Sequence, residues 1–245
     1  MKILVSCYKC IFESGELEQV PKLCFAEYDE ELCQYKCSKG HITYTWIEND
    51  RYELLFDSSI IAYLDSNYRE SVLNASSSLE SFYEHMIKAI LFILKKDNLE
   101  KIDEFYKKIK SRSECREGVF QALCRVYFDK EYFLNNDSKN LRNNTIHNGY
   151  FPKRKETYNY LKEIYTIIYD CFNQLIIKTA ISEYVDFVFA LRDQVLKKYP
   201  VFYTHQYIPT ILSNNDSKGN FEKEIENFRQ RSIYIYDKSF KDYDN

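Results

Sequence analysis

Turn-forming residues are scarce in this chain, with five Gly and four Pro among 245 residues. Sheets built from many short strands draw on both at every bend, so the scarcity excludes a sandwich or barrel and leaves a mainly helical protein. No run of eighteen apolar residues occurs, so neither a membrane span nor a membrane partner is expected. Formal net charge is only −3, which rules out a general positive field for coating nucleic acid. A glycine-rich phosphate loop and a serine nucleophile elbow are both missing, which removes two large classes of enzyme.

What is present is an ordinary globular composition, 45% hydrophobic and 29% charged, large enough for one good core or two unequal modules. Tyr is abundant at 23 residues, a bias expected of an AT-rich genome. The opening "MKILVSC" imitates a lipoprotein cleavage box, but its apolar run is too short for a signal peptide. A cytoplasmic location is therefore expected, and the eight Cys read as ligands or core residues rather than disulfides.

Ligand-type residues cluster in residues 1–52, which read as a small β module of zinc-ribbon type. Two strand-like runs end in turns, Cys7-Tyr8-Lys9-Cys10 and Cys37-Ser38-Lys39-Gly40-His41. Two thiolates separated by two residues can grip one ion, and Gly40 supplies the positive φ that folds His41 beside Cys37. Cys7, Cys10, Cys37 and His41 together predict a closed tetrahedral Zn²⁺ site, structural because no position is left for water. The competing reading is a hairpin core of small residues. Cys33 lies on the strand face of Cys37 and is an alternative to His41, whereas Cys24 reads as packing.

Residues 53–200 follow a helical period. Ile61, Leu64, Tyr68, Val72, Ala75, Leu79, Phe82, Met86, Ile90 and Ile93 advance in steps of three and four. This predicts one long helix to Lys96, capped by Asp57 or Ser58 and bent near Asn74–Ser78. Further helices are predicted over 99–109, 114–133, 156–179 and 181–198, with "LNNDSKN" as a loop. Residues 201–245 read as a mixed extension in which "NFEKEIENFRQR" forms a short helix and "DKSFKDYDN" a frayed tail. The body is thus a bundle of four to six helices.

Charge is unevenly spread. Residues 1–60 carry eleven Asp or Glu against six Lys or Arg, whereas 139–162 carry six Lys or Arg and only Glu156. The second window contains "LRNNTIHNGYFPKRKE", the one stretch outside the head that gathers His, Arg, Lys and Asn. His85 sits among apolar residues and reads as a packed or rim histidine, and His205 is isolated. Cleavage of RNA by its own 2′-OH needs only such groups: a base, an acid and a fixed positive charge on the phosphorane. Arg142 and His147 supply that chemistry. The nearest acid, Asp137, is too little to hold a divalent ion, so a metal-independent reaction is expected. Lys139, Lys153, Arg154 and Lys155 are candidates for RNA binding. Residues five apart lie about 140° around a helix. Either the helix ends between Arg142 and His147, as Gly149 and Pro152 suggest, or the site uses two copies of the chain.

"LRNNTIHNG" resembles the motif of HEPN-domain proteins, and "YRESVLNASSSLESFYEHMIKAIL" resembles their first long helix. The likeness spans roughly residues 55–180. It implies a HEPN-like helical bundle, a homodimer or even-numbered oligomer, and a metal-independent endoribonuclease site at the dimer interface. On this resemblance Arg142 binds phosphate, Asn143 is its polar companion, His147 is the acid or base, and Glu80 is the acidic residue some members carry on the first helix. The implied function is a toxin-type ribonuclease of bacterial anti-phage or abortive-infection systems, acting on tRNA or other cytoplasmic RNA. The zinc module would sense a trigger, hold substrate or dock a partner protein. The alternative is a non-catalytic scaffold that binds RNA or nucleotides, with Arg142 capping a helix or pairing an acid and His147 filling a loop.

Overall fold

The computed structural model describes residues 2–14, 23–28, 32–95, 98–198, 204–212 and 219–230. Strands are confined to the head. β1 (Lys2–Ser6) leads into a short helix, α1 (Tyr8–Ser14), and β1 pairs antiparallel with β2 (Leu23–Glu27), Val5 facing Cys24. β3 (Cys33–Lys36) and β4 (Ile42–Ile47) form an antiparallel hairpin. Their alternation of buried and exposed residues gives each strand one inward face, with Cys33, Tyr35, Thr43, Thr45 and Ile47 pointing in. The first ligand turn is therefore a strand-to-helix junction and not the end of a hairpin. The second is the β3–β4 turn, and Gly40 adopts φ +86° there, where any Cβ would be strained.

A third strand, β5 (Thr204–Gln206), joins β4 in parallel from far along the chain. The Gln206 side chain accepts from the Ser6 N–H at 2.8 Å and donates to the Ser6 carbonyl at 3.2 Å, mimicking a strand neighbour just before Cys7. Asn49 grips Ile208 in the same reciprocal way, at 2.7 and 2.8 Å. One compact unit accordingly gathers the described residues within 1–49, 195–209 and from 226 on, and the other those of 50–194 and 210–225. The described residues beyond 200 are thus shared between the units instead of forming a third part.

The helical unit is built on α2 (Arg51–Leu64) and α3 (Tyr68–Lys95), an antiparallel pair in which Tyr52 lies against Phe82 and Tyr63 against Tyr68. The chain reverses at residues 65–67, where Ser66 takes φ +63°, and not at Asn74–Ser78. Both helices bury one face in the same core, so the apolar spacing runs through the turn and hides it. Within the serine run, which stays helical, Ser76 and Ser77 return their hydroxyls to the carbonyls of Val72 and Leu73. Nor do Asp57 or Ser58 start the helix: it begins at Arg51, with Glu53 accepting from the Asp50 N–H at 2.9 Å.

α4 (Leu99–Ile109) occupies the predicted span, and α5 (Ser113–Phe128) stops five residues earlier than expected. Asp129 ends it in a left-handed conformation. The apolar residues beyond are a buried connection: Gln121 holds both backbone groups of Tyr132, at 2.7 and 2.9 Å. The predicted loop over 134–140 is largely helix. α6 (Asn136–His147) starts there because Asn135 accepts from the Ser138 N–H at 2.8 Å. α7 (Arg154–Lys178) and α8 (Ile181–Lys198) follow, and residues 221–230 form α9. The core comprises Phe56, Phe82, Met86, Ile90, Phe120, Tyr160, Leu161 and Ile164, with α3 at its centre. Among the described residues no helix is long and apolar enough to cross a membrane. The stretch predicted as a frayed tail, 237–245, lies outside the described residues.

Candidate functional site

The strand-to-helix junction and the β3–β4 turn bring Cys7, Cys10, Cys37 and His41 together, their ligand atoms all within 4.8 Å of one another. Cys10 Sγ lies 3.7 Å from Cys37 Sγ and 3.4 Å from His41 Nδ1, and Cys7 Sγ lies 3.8 Å from that nitrogen. A tetrahedral ion with bonds of about 2.0–2.3 Å needs edges of roughly 3.5–3.8 Å, so the donor set could hold a metal ion such as zinc. The turn itself is held by Gly40 N–H to the Cys37 carbonyl at 2.9 Å and Cys37 N–H to the His41 carbonyl at 3.1 Å.

Electrostatics in the cluster favour a cation. Burial and the adjacent thiols push Cys10 up to about 12. At Cys37 burial also opposes ionisation, but N–H groups of His41 and Lys39 and the neighbouring thiols outweigh it and pull the thiol down. A divalent ion would relieve this crowding, because thiols lose their protons when they coordinate it. Glu13, on α1, lies 3.1 Å from His41 Nε2 and 3.6 Å from Lys39 Nζ. A carboxylate on Nε2 keeps the proton there and leaves Nδ1 free to coordinate. Cys33 is buried on β3 outside the cluster, and Cys24 bonds the Val5 carbonyl at 3.5 Å. No disulfide joins any of the eight cysteines.

In the helical unit, α6 separates two clefts. Arg142, Asn143 and Lys139 face one of about 200 Å³, with Glu80 and Tyr83 of α3 and Glu117 of α5. There Arg142 Nη2 donates to Glu80 Oε1 at 2.5 Å, and Arg116 Nη2 donates to Glu80 Oε2 at 2.8 Å. Lys139 reaches Glu117 at 3.9 Å and sits over the Phe133 ring. Asp137, Asn140, Leu141 and Asn144 face the other cleft, of about 570 Å³, with Tyr150, Glu156 and Asn159.

His147 is the last residue of α6, exposed, and makes no hydrogen bond or ion pair among the described residues. The helix runs unbroken from Arg142 to His147, so the expected helix end between them is absent, and the two side chains leave the axis about 140° apart. Within one chain they do not meet. Lys153, Arg154 and Lys155 are exposed at the start of α7, Arg154 against the Tyr63 hydroxyl. The other histidines are engaged: His85 is buried between Asp50, at 3.0 Å, and Tyr184, at 3.1 Å, and His205 lies 3.3 Å from Glu48.

Several participants gave no sequence signal. Glu13 was hidden because no helix was expected at Cys10, whereas on α1 it falls one turn beyond that residue. Arg116 meets Glu80 only through the packing of α5 on α3, which leaves no periodic trace. Compared with family models, curated proteins and solved structures, the chain matches none.

Proposed function

We propose that this protein is a metal-independent endoribonuclease of the HEPN type, acting as a two-fold dimer, with a zinc-stabilised head. The observation that carries the reading is the pairing of Arg142 with Glu80. The acidic residue implied on the long helix faces the motif arginine and orients its fork, while His147 stands exposed on the same helix. Two copies related by a two-fold axis would bring one chain's Arg142 to the other's His147. His147 takes the 2′-OH proton, the oxygen attacks phosphorus, and the P–O5′ bond breaks. The imidazolium so formed returns that proton to the leaving oxygen, and the facing copy's Arg142 balances the phosphorane charge. Products end in a 2′,3′-cyclic phosphate and a 5′-OH. Zinc at the Cys7–Cys10–Cys37–His41 cluster is structural, and the head serves a trigger or partner protein. By the same resemblance, the biological setting is anti-phage defence or a toxin system.

The test is cleavage of total and transfer RNA without magnesium and with EDTA, with the product ends analysed. Cyclic-phosphate ends, and loss of cleavage in His147→Ala, are expected. Strict magnesium dependence or 5′-phosphate ends would overturn the reading. RNA bound but left uncut by the wild type would place the chain among binding scaffolds.

A further inference from the structure

The second cleft beside α6 has no part in the chemistry above. Asp137, Asn140, Leu141 and Asn144 follow one another at steps of three, one and three, so they form one stripe along the helix. His147 lies three residues past Asn144 on that same stripe, about 4.5 Å further along the axis. Asn159 and Glu156 of α7 line it as well, with the fully buried Tyr160 at the base, and Tyr150 joins them from the α6–α7 connection. A cleft of about 570 Å³ is in the range of small-molecule sites.

The hydrogen bonds divide the lining into supports and readers. Glu156 accepts from the Lys153 N–H at 2.7 Å and from the Tyr150 hydroxyl at 3.0 Å. Asn144 Oδ1 accepts from Asn148 at 2.9 Å, and the Asn144 carbonyl takes the Tyr150 N–H at 3.1 Å. Asn135 and Ser138 are committed to Glu163. These bonds fix the walls and hold Tyr150 by its backbone and its hydroxyl, leaving its ring faces for stacking. Asp137, Asn140 and Asn159, by contrast, make no side-chain hydrogen bond among the described residues. The cleft therefore offers a held aromatic ring, two amides and one carboxylate, which is the equipment for taking up an unpaired base.

We infer that the α6–α7 cleft is a nucleobase pocket that selects an unpaired guanine next to the phosphate served by His147. The inference rests on the ribonuclease reading and names the feature of the substrate that the enzyme recognises. The carboxylate decides the base. Guanine presents N1–H and N2–H side by side, which a carboxylate accepts together, and its O6 takes an amide N–H from Asn140 or Asn159. Adenine would turn the N1 lone pair toward Asp137, cytosine its N3 lone pair, and uracil a single N–H flanked by two carbonyls. Each of the three puts electron pairs against the carboxylate. Tyr150 stacks on any base and adds affinity without choice.

Binding is to be measured in the His147→Ala protein, which cannot turn substrate over. The probes are four fluorescent oligouridines identical except for one central G, A, C or U. The guanine strand is expected to bind at least tenfold tighter than the other three. Asp137→Asn and Asn140→Ala should each bring it down toward the adenine strand while leaving that strand's affinity in place, and Tyr150→Ala should weaken all four. Equal affinities, no measurable binding of any strand, or a guanine preference that survives Asp137→Asn combined with Asn140→Ala would overturn the inference. Because this readout needs no cleavage, a guanine preference in a chain that cuts nothing would sink the nuclease reading and keep the pocket. Cleavage by the wild type without base preference would do the reverse.

Discussion

Arg142 is three-quarters buried and shares Glu80 with Arg116, so its guanidinium is aimed before any ligand arrives. Lysine keeps the charge but not the fork, and Arg142→Lys should lose most activity. His147 is exposed and supports nothing, so His147→Ala should cost 10²- to 10⁴-fold in rate while shifting stability by less than about 0.5 kcal/mol. Single-turnover cleavage beside a urea melt separates the two quantities. Glu53 makes a prediction of its own. It is buried beside Asp50 and accepts from the Thr210 hydroxyl at 3.2 Å, and burial followed by the Asp50 charge pushes its carboxyl up to about 7. A raised carboxyl means the folded state holds its proton more tightly than the unfolded chain. This contribution to stability is therefore complete below about pH 4.5 and is lost as pH rises through about 7. The unfolding free energy of the wild type from urea melts should fall between pH 5 and 8, by on the order of 3 kcal/mol from this group, and Glu53→Gln should flatten that fall. Of these residues, Arg142, His147 and Glu80 could be named from spacing and resemblance. Glu53 could not, because nothing in a string of letters says that one glutamate of a helix's first turn is buried.

At the scale of elements, the head was readable because metal ligands impose their own spacing, and Cys7, Cys10, Cys37 and His41 stand out whatever the secondary structure between them. The junction at Cys7–Cys10 was misread, since "CYKCIF" satisfies strand and helix patterns equally. α6 was hidden for the opposite reason. It buries little beyond Ser138 and Thr145, so it shows no apolar stripe, and its stability comes from the Asn135 cap and the Glu163 carboxylate. Removing a ligand should therefore act differently from removing a support. Cys37→Ser should abolish stoichiometric metal binding and unfold the head, measured by elemental analysis and by protection of head amides from exchange. Glu13→Gln should leave the head folded but weaken metal affinity 10- to 100-fold in a competition titration with a chromogenic chelator, because His41 loses the group that fixes its tautomer. Unchanged affinity in Glu13→Gln would mean that the 3.1 Å contact is incidental.

For the whole molecule, the unbroken α6 makes the decisive prediction. Arg142→Ala and His147→Ala proteins, each inactive alone, should regain activity when mixed and allowed to exchange subunits, because mixed dimers hold one site with an intact Arg142 facing an intact His147. Light scattering should find dimers, and a mixture that stays inactive would place the reaction within one chain. With a net charge of −3 the molecule has no global attraction for RNA, so the proposed ribonuclease would have to lean on the local basic patch. Neutralising Lys153, Arg154 and Lys155 together should lower the slope of log affinity against log salt by roughly 2, at about 0.7 per phosphate contact on a single strand. The helical architecture was visible in the missing glycines and prolines and in the long apolar stripe. The strand that closes the head was not, since three residues pairing with β4 across most of the chain leave no local pattern. That strand also sets a timetable for biosynthesis. As the chain leaves the ribosome, Cys7, Cys10, Cys37 and His41 emerge before the bundle, but the edge of β4 and the Ser6 N–H remain unmatched until residue 206 has been made. The bundle can begin to fold first, and a unit begun before it is completed after it.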